Sequence, residues 1–134
     1  MVSHTEISIS TQQRNQMKDI TAQAERAMKE SGIANGICVV SSMHTTAGIT
    51  INENADPAVV HDILWKTGSL VPVDTSFQHR EGNSDSHIKT SLVGLSVHIP
   101  VKNGKLILGT WQSVYFCEFD GPRSRRATIT CIGE

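Results

Sequence analysis

Ser96-Val97-His98-Ile99-Pro100-Val101-Lys102-Asn103-Gly104-Lys105-Leu106-Ile107-Leu108 is the stretch that decides the fold class. Val97, Ile99 and Val101 alternate with Ser96, His98 and Pro100, the period of a half-buried strand. Asn103-Gly104 supplies the central pair of a type I′ turn, where both residues need positive φ. Leu106-Ile107-Leu108 then returns as the partner strand.

Outward from this hairpin, Trp111 to Phe119 and Ala127 to Ile132 read as two further strands. Upstream, Glu6 to Thr11 alternates like a strand, Gly36 to Met43 forms another, and Ile49-Thr50-Ile51 a third. Helical spacing begins at Asp19, a candidate N-cap, and runs through Ile20, Ala24, Ala27 and Met28 to a stop at Gly32. Val59, Val60, Ile63 and Leu64 mark the stripe of a second helix, with Asp56 as cap and Pro57 at its first position. Val71 to Ser86 reads as loop. Ser86 would cap a third helix with Ile88 and Leu92 on its inner face and Gly94 beyond its end. Hairpins among mixed elements make this an α+β protein. Its core is expected to be mostly antiparallel and β-sandwich-like, with about three short helices to one side, in a single domain over residues 1–134.

Bulk properties narrow the function classes. The chain has 134 residues, 38% hydrophobic and 19% charged, which suits a folded core rather than disorder. A formal net charge of −1 gives no global attraction to nucleic acid or to an anionic membrane, and no apolar run reaches bilayer length. Cys38, Cys117 and Cys131 are odd in number, far apart and set among β-formers. They read as buried free thiols in a reducing, cytoplasmic setting.

Chemistry concentrates in Phe77-Gln78-His79-Arg80-Glu81-Gly82-Asn83-Ser84-Asp85-Ser86-His87-Ile88-Lys89. Neutral imidazole is a favoured ligand for Zn²⁺ and similar ions. His79 and His87 can serve as such ligands or can simply organise the loop by hydrogen bonding. His44 ends a strand, a rigid platform for a third ligand. His4 is expected in a mobile tail and His61 on a solvated helix face. Glu53 and Glu81 are candidate bases. Asn52, Asn54 and Asp56 gather at a strand-to-helix junction, where Asp56 also suits a plain cap. The turn Gly121-Pro122-Arg123-Ser124-Arg125-Arg126 offers guanidinium groups for a phosphate, or is a solvated edge. Lys89 is a second cation, able to reach the same mouth. Trp111-Gln112 supplies either core or a flat wall for a ring-shaped ligand.

Taken together, His44-Thr45-Thr46-Ala47-Gly48-Ile49-Thr50-Ile51-Asn52-Glu53-Asn54-Ala55-Asp56-Pro57 resembles the signature opening of the YjbQ-like family. The resemblance continues through His79, Ser86-His87-Ile88-Lys89-Thr90-Ser91-Leu92-Val93-Gly94, Gly109-Thr110-Trp111-Gln112 and Cys117-Glu118-Phe119-Asp120-Gly121-Pro122-Arg123 to Ile132-Gly133-Glu134. It implies a compact α+β fold, a homotrimer, and a metal site on His44, His79 and His87. The ion is expected to be divalent, Zn²⁺ first and Mg²⁺ second. Members of the family often carry the label of secondary thiamine-phosphate synthases. A metal-dependent enzyme for phosphorylated heterocyclic substrates is therefore expected, with Glu53, Glu81 and Lys89 as catalytic groups. Asn52, Asn54, Asp56, Trp111, Gln112 and Arg123 would bind substrate. The alternative is a homotrimer that binds metal and metabolite without turnover.

Overall fold

A computed structural model describes residues 1–134. Its strands are β1 (Val2–Ser10), β2 (Gln16–Asp19), β3 (Gly36–Ser42), β4 (Ala47–Glu53), β5 (Ser96–Lys102), β6 (Lys105–Leu106), β7 (Gln112–Glu118) and β8 (Ser124–Gly133). Its helices are α1 (Thr21–Ser31), α2 (Pro57–Leu70) and α3 (Ser84–Val93). A five-stranded sheet runs β1-β8-β3-β5-β6 and a three-stranded sheet runs β2-β7-β4. All pairings are antiparallel. The expected α+β, sandwich-like class is thus the observed one.

Alternation along the strands builds the core. Ile9, Cys38, Val40, Ile99, Val101, Ala127, Ile129 and Cys131 meet Ile49, Val114 and Phe116 of the smaller sheet, with Ala24, Ala27 and Met28 of α1 closing one side. The hairpin forms as expected: Asn103 takes φ 51° and Gly104 φ 72°. Its return strand is only Lys105–Leu106, however: Ile107 N still donates to Pro100 O at 2.8 Å, but Leu108 N turns to Leu106 O. All three cysteines are buried free thiols.

Several elements depart from expectation. β1 starts at Val2, so His4 lies in a strand, with its Nδ1 2.9 Å from Thr130 Oγ1, rather than in a tail. β2 carries no alternation long enough to announce itself. Asp19 sits one place outside the N-cap of α1, where its Oδ1 accepts from Thr21 N at 2.9 Å. Gly32 stops that helix in the left-handed region, as expected. Asp56 caps α2 by accepting from Ala58 N at 2.9 Å.

The largest departure is α3. Ile88 and Leu92 do not face inward; they are exposed, Leu92 at 72%. Asp85, Ser86, Lys89 and Thr90 are the buried face. This inversion is possible because Asp85, Ser86 and Lys89 are paired, although Thr90 Oγ1 is buried without a partner. Arg14 makes two bonds to the Asp85 carboxylate, at 2.9 and 3.1 Å. Lys89 Nζ lies 3.3 Å from both Asp85 Oδ2 and Asn15 Oδ1, and Ser86 Oγ donates to Phe119 O at 2.6 Å. A buried polar group without such partners would cost several kcal/mol by transfer. The C-terminal end of α3 closes on β4: Ile49 N donates to Gly94 O at 3.1 Å. Gly48 permits the approach, since a Cβ there would lie 2.5 Å from that same carbonyl oxygen.

Candidate functional site

Three chain segments remote in sequence enclose an open polar cavity of about 400 Å³. The β3–β4 loop contributes His44, Thr45 and Thr46. The approach to α3 and its first turn contribute His79, Glu81, Asn83 and His87. The β7–β8 turn contributes Asp120 and Arg123, and the start of β8 contributes Arg125. Met43 is the sole hydrophobic side chain in the lining.

The guanidinium groups are held by local partners. Arg123 donates from Nε to Asp120 O and from Nη2 to Asp120 Oδ2, both at 2.8 Å. Arg125 is buried against Glu118, with Nε donating to Glu118 Oε1 at 2.8 Å and Nη2 donating to Oε2. Its Nη2 also reaches Thr46 Oγ1 at 2.9 Å, which ties two walls of the cavity together. Burial raises the Glu118 carboxyl, but the Arg125, Asp120 N–H and Thr11 hydrogen bonds outweigh it and hold the group below its usual range. Asp85, behind the α3 wall, is lowered in the same way by Arg14 and Lys89 against its burial.

The imidazoles divide into a pair and a singleton. His79 and His87 have ring centroids 5.4 Å apart with planes at 88°. Two imidazoles bound to one Zn²⁺ at about 2.0–2.1 Å in tetrahedral geometry have centroids about 5 Å apart, close to the spacing of this pair. His44 lies in the same lining but is differently engaged: its Nε2 accepts Arg126 N–H at 2.9 Å. Burial and the Arg125, Arg126 and Arg123 charges lower its pKa, against a smaller opposing effect of Glu118. No set of three or more His, Cys, Asp and Glu side chains stands close enough in this chain to hold a metal ion. Asn83 is 7% exposed; its Nδ2 donates to Asp120 Oδ2 at 2.8 Å, and its Oδ1 is buried without a partner.

Of the residues expected at the site, His44, His79, His87, Glu81 and Arg123 share this cavity. Lys89 does not reach it. It is 4% exposed and committed to Asp85 and Asn15, so its expected catalytic place is corrected to a structural one. Asn52, Glu53, Asn54 and Asp56 stand at or beyond the far end of β4, about 20 Å along the strand from its His44 end. Asn54 donates to Ser113 Oγ, Asn52 Oδ1 accepts from Glu53 N at 2.7 Å, and Gln112 Oε1 accepts from Gly109 N at 2.7 Å. Asn54 and Gln112 line a second, separate depression of about 680 Å³ beside Asp19 and Glu25. Trp111 is 61% exposed, so it is not core. Within one chain these residues cannot touch a ligand held by the histidines. Sequence reasoning also passed over Asn83, Asp120 and Thr46. Asn83 lay inside the quoted polar loop, but no spacing singled it out. Its orphaned acceptor appears only once the loop is folded.

An antiparallel two-sheet α+β protein with a histidine-lined polar cavity is the class that fold and site define. The family profile described as UPF0047 protein YjbQ-like matches residues 5–134, and the chain belongs to that family. It is 52% identical over 126 residues to a UPF0047 protein of Methanocaldococcus jannaschii, covering 94% of this chain and 91% of that one. It is 49% identical over 128 residues to the UPF0047 protein YugU of Bacillus subtilis, covering 95% and 97%. Among solved structures, a YbjQ-like protein of unknown function from Sulfolobus solfataricus superposes with a TM-score of 0.96 at 36% identity, covering 100% of this chain and 99% of that one. A YjbQ/UPF0047 protein of Clostridium acetobutylicum does so with a TM-score of 0.94 at 51% identity, covering 96% and 99%. No helix is long and apolar enough to cross a membrane.

Proposed function

We propose that the cavity is the site of a metal-dependent enzyme acting on a phosphorylated small molecule, in the manner of the secondary thiamine-phosphate synthases. The supporting observation is that His79 and His87, paired at 5.4 Å, share one polar cavity with Glu81, Arg123 and a third imidazole, His44. His79 and His87 would hold a divalent cation, Zn²⁺ before Mg²⁺, with further positions left to ligand oxygen or water. The ion would supply charge neutralisation for a phosphate or a departing pyrophosphate. Arg123, at the rim and half-exposed, would add a guanidinium to the same anion. Glu81, exposed in the lining, is the one expected base that reaches it.

A homotrimer belongs to the same proposal. Ile88, Leu92 and Leu95 form an exposed apolar run along and beyond α3, and Trp65 and Leu70 do so on α2. A second subunit that covers such surface could also bring Asn52, Glu53, Asn54 or Trp111 toward a neighbour's histidines. Light scattering on the purified protein tests the stoichiometry.

The test of function is elemental analysis and turnover of wild type beside His87→Ala. Wild type is expected to carry stoichiometric Zn²⁺ and to couple a pyrimidine pyrophosphate to a thiazole phosphate, and His87→Ala to lose both. Equal metal content in the two proteins would reject the reading. A binding role without turnover is the second reading. It draws support from the placement of Glu53 and Lys89, two of the three expected catalytic groups, away from the cavity. Tight phosphate binding with no product on long incubation would select it.

A further inference from the structure

His44 occupies an unusual place in the hydrogen-bond ladder. β3 ends at Ser42 opposite Ala127, and Met43 N still donates to Arg126 O at 3.4 Å. The next group that Arg126 meets is not a backbone carbonyl but the His44 ring, whose Nε2 accepts Arg126 N–H at 2.9 Å. The imidazole thus takes over from the backbone where the two strands part. A nitrogen that accepts a hydrogen bond carries no proton. A neutral ring has one N–H, so the proton resides on Nδ1. Protonating Nε2 would set one N–H against another, which disfavours the imidazolium. Neither nitrogen is then available to a metal: Nε2 has its lone pair on the strand and Nδ1 bears hydrogen.

From this we propose that His44 is not a metal ligand but a fixed hydrogen-bond donor, presenting Nδ1–H to an anionic oxygen of the ligand. The ligand class that this donor fits is a phosphate-bearing molecule, beside the Arg123 guanidinium in the same lining. The metal half of this inference rests on the function proposed above; the tautomer and the anion contact do not.

The experiment compares wild type, His44→Ala, His44→Gln and His87→Ala for Zn²⁺ content, and for affinity toward inorganic phosphate and pyrophosphate. Long-range ¹⁵N–¹H correlation of the His44 ring is read in wild type. Gln places an oxygen where Nε2 accepts, while its amide NH₂ remains a donor. His44→Ala is expected to keep its Zn²⁺ and to lose roughly tenfold or more in phosphate affinity, the usual scale for a hydrogen bond to a charged group. His44→Gln is expected to recover most of that loss, and the wild-type ring to show its proton on Nδ1. Loss of Zn²⁺ in His44→Ala to the level of His87→Ala, unchanged phosphate affinity in His44→Ala, or a proton on Nε2 would each overturn the proposal. If wild type takes up no Zn²⁺, the proposed function fails, and the ring tautomer and the Ala–Gln affinity difference still decide the role of His44. Thermal melts confirm that each variant is folded.

Discussion

α1 and α3 are helices of similar length that solve the same packing problem in opposite ways. α1 turns Ala24, Ala27 and Met28 inward and leaves its charges in water. α3 turns Asp85, Ser86, Lys89 and Thr90 inward and leaves Ile88 and Leu92 outside. The first is held by apolar area removed from water, the second by a closed set of ionic hydrogen bonds. The first tolerates small losses gradually. The second is all or nothing, because removing one charge strands the others. The difference tracks the site. The helix that carries His87 into the cavity is anchored by geometry-demanding bonds, which fix its position more tightly than greasy contact would.

The comparison can be broken most severely at Asp85. Asp85→Ala leaves Lys89 buried beside Asn15 and is expected to cost about 3–5 kcal/mol, measured by urea unfolding. On the apolar helix, Met28→Ala should cost about 2–4 kcal/mol by the same measurement, with the cavity lining undisturbed. A milder probe is acid. The folded Asp85 and Glu118 carboxyls lie below their ordinary range, so their stabilisation is present above the unfolded pKa, about 4, and is lost as pH falls through the folded values. The stability gap between wild type and Asp85→Asn is therefore expected to be widest near neutrality and to shrink toward pH 3. The smallest effect on the single subunit is at the outward face. Leu92→Lys should change subunit stability by less than about 0.5 kcal/mol while shifting the mass seen in light scattering. A large loss of subunit stability there would show that α3 relies on its apolar side after all.

The contrast also explains what could be read beforehand. α1, the Asp56 cap, the Asn103-Gly104 turn and the strands about them follow from local rules, since period and turn chemistry act within a few residues. α3 obeyed the same period, but its orientation depends on Arg14, which is 71 residues away from Asp85. Nothing near Lys89 announces that its partner is buried, so a core ion pair and a catalytic cation look alike in sequence. His44, His79 and His87 could be nominated by residue type; that they line one cavity is a property of topology. Their unequal roles depend on the direction of a single backbone N–H, from Arg126, which no pattern encodes.

Gly48 sets how closely the end of α3 can approach β4. Its missing side chain lets the end of α3 settle against β4, where a Cβ would come within 2.5 Å of the Gly94 oxygen. Backbone cannot swing aside as a flexible side chain can, so any larger residue at this position must lever the helix outward and carry His87 and Asn83 with it. A series of increasing bulk at position 48 would then act as a set of calipers on the mouth, grading ligands by size while every group that touches them keeps its chemistry.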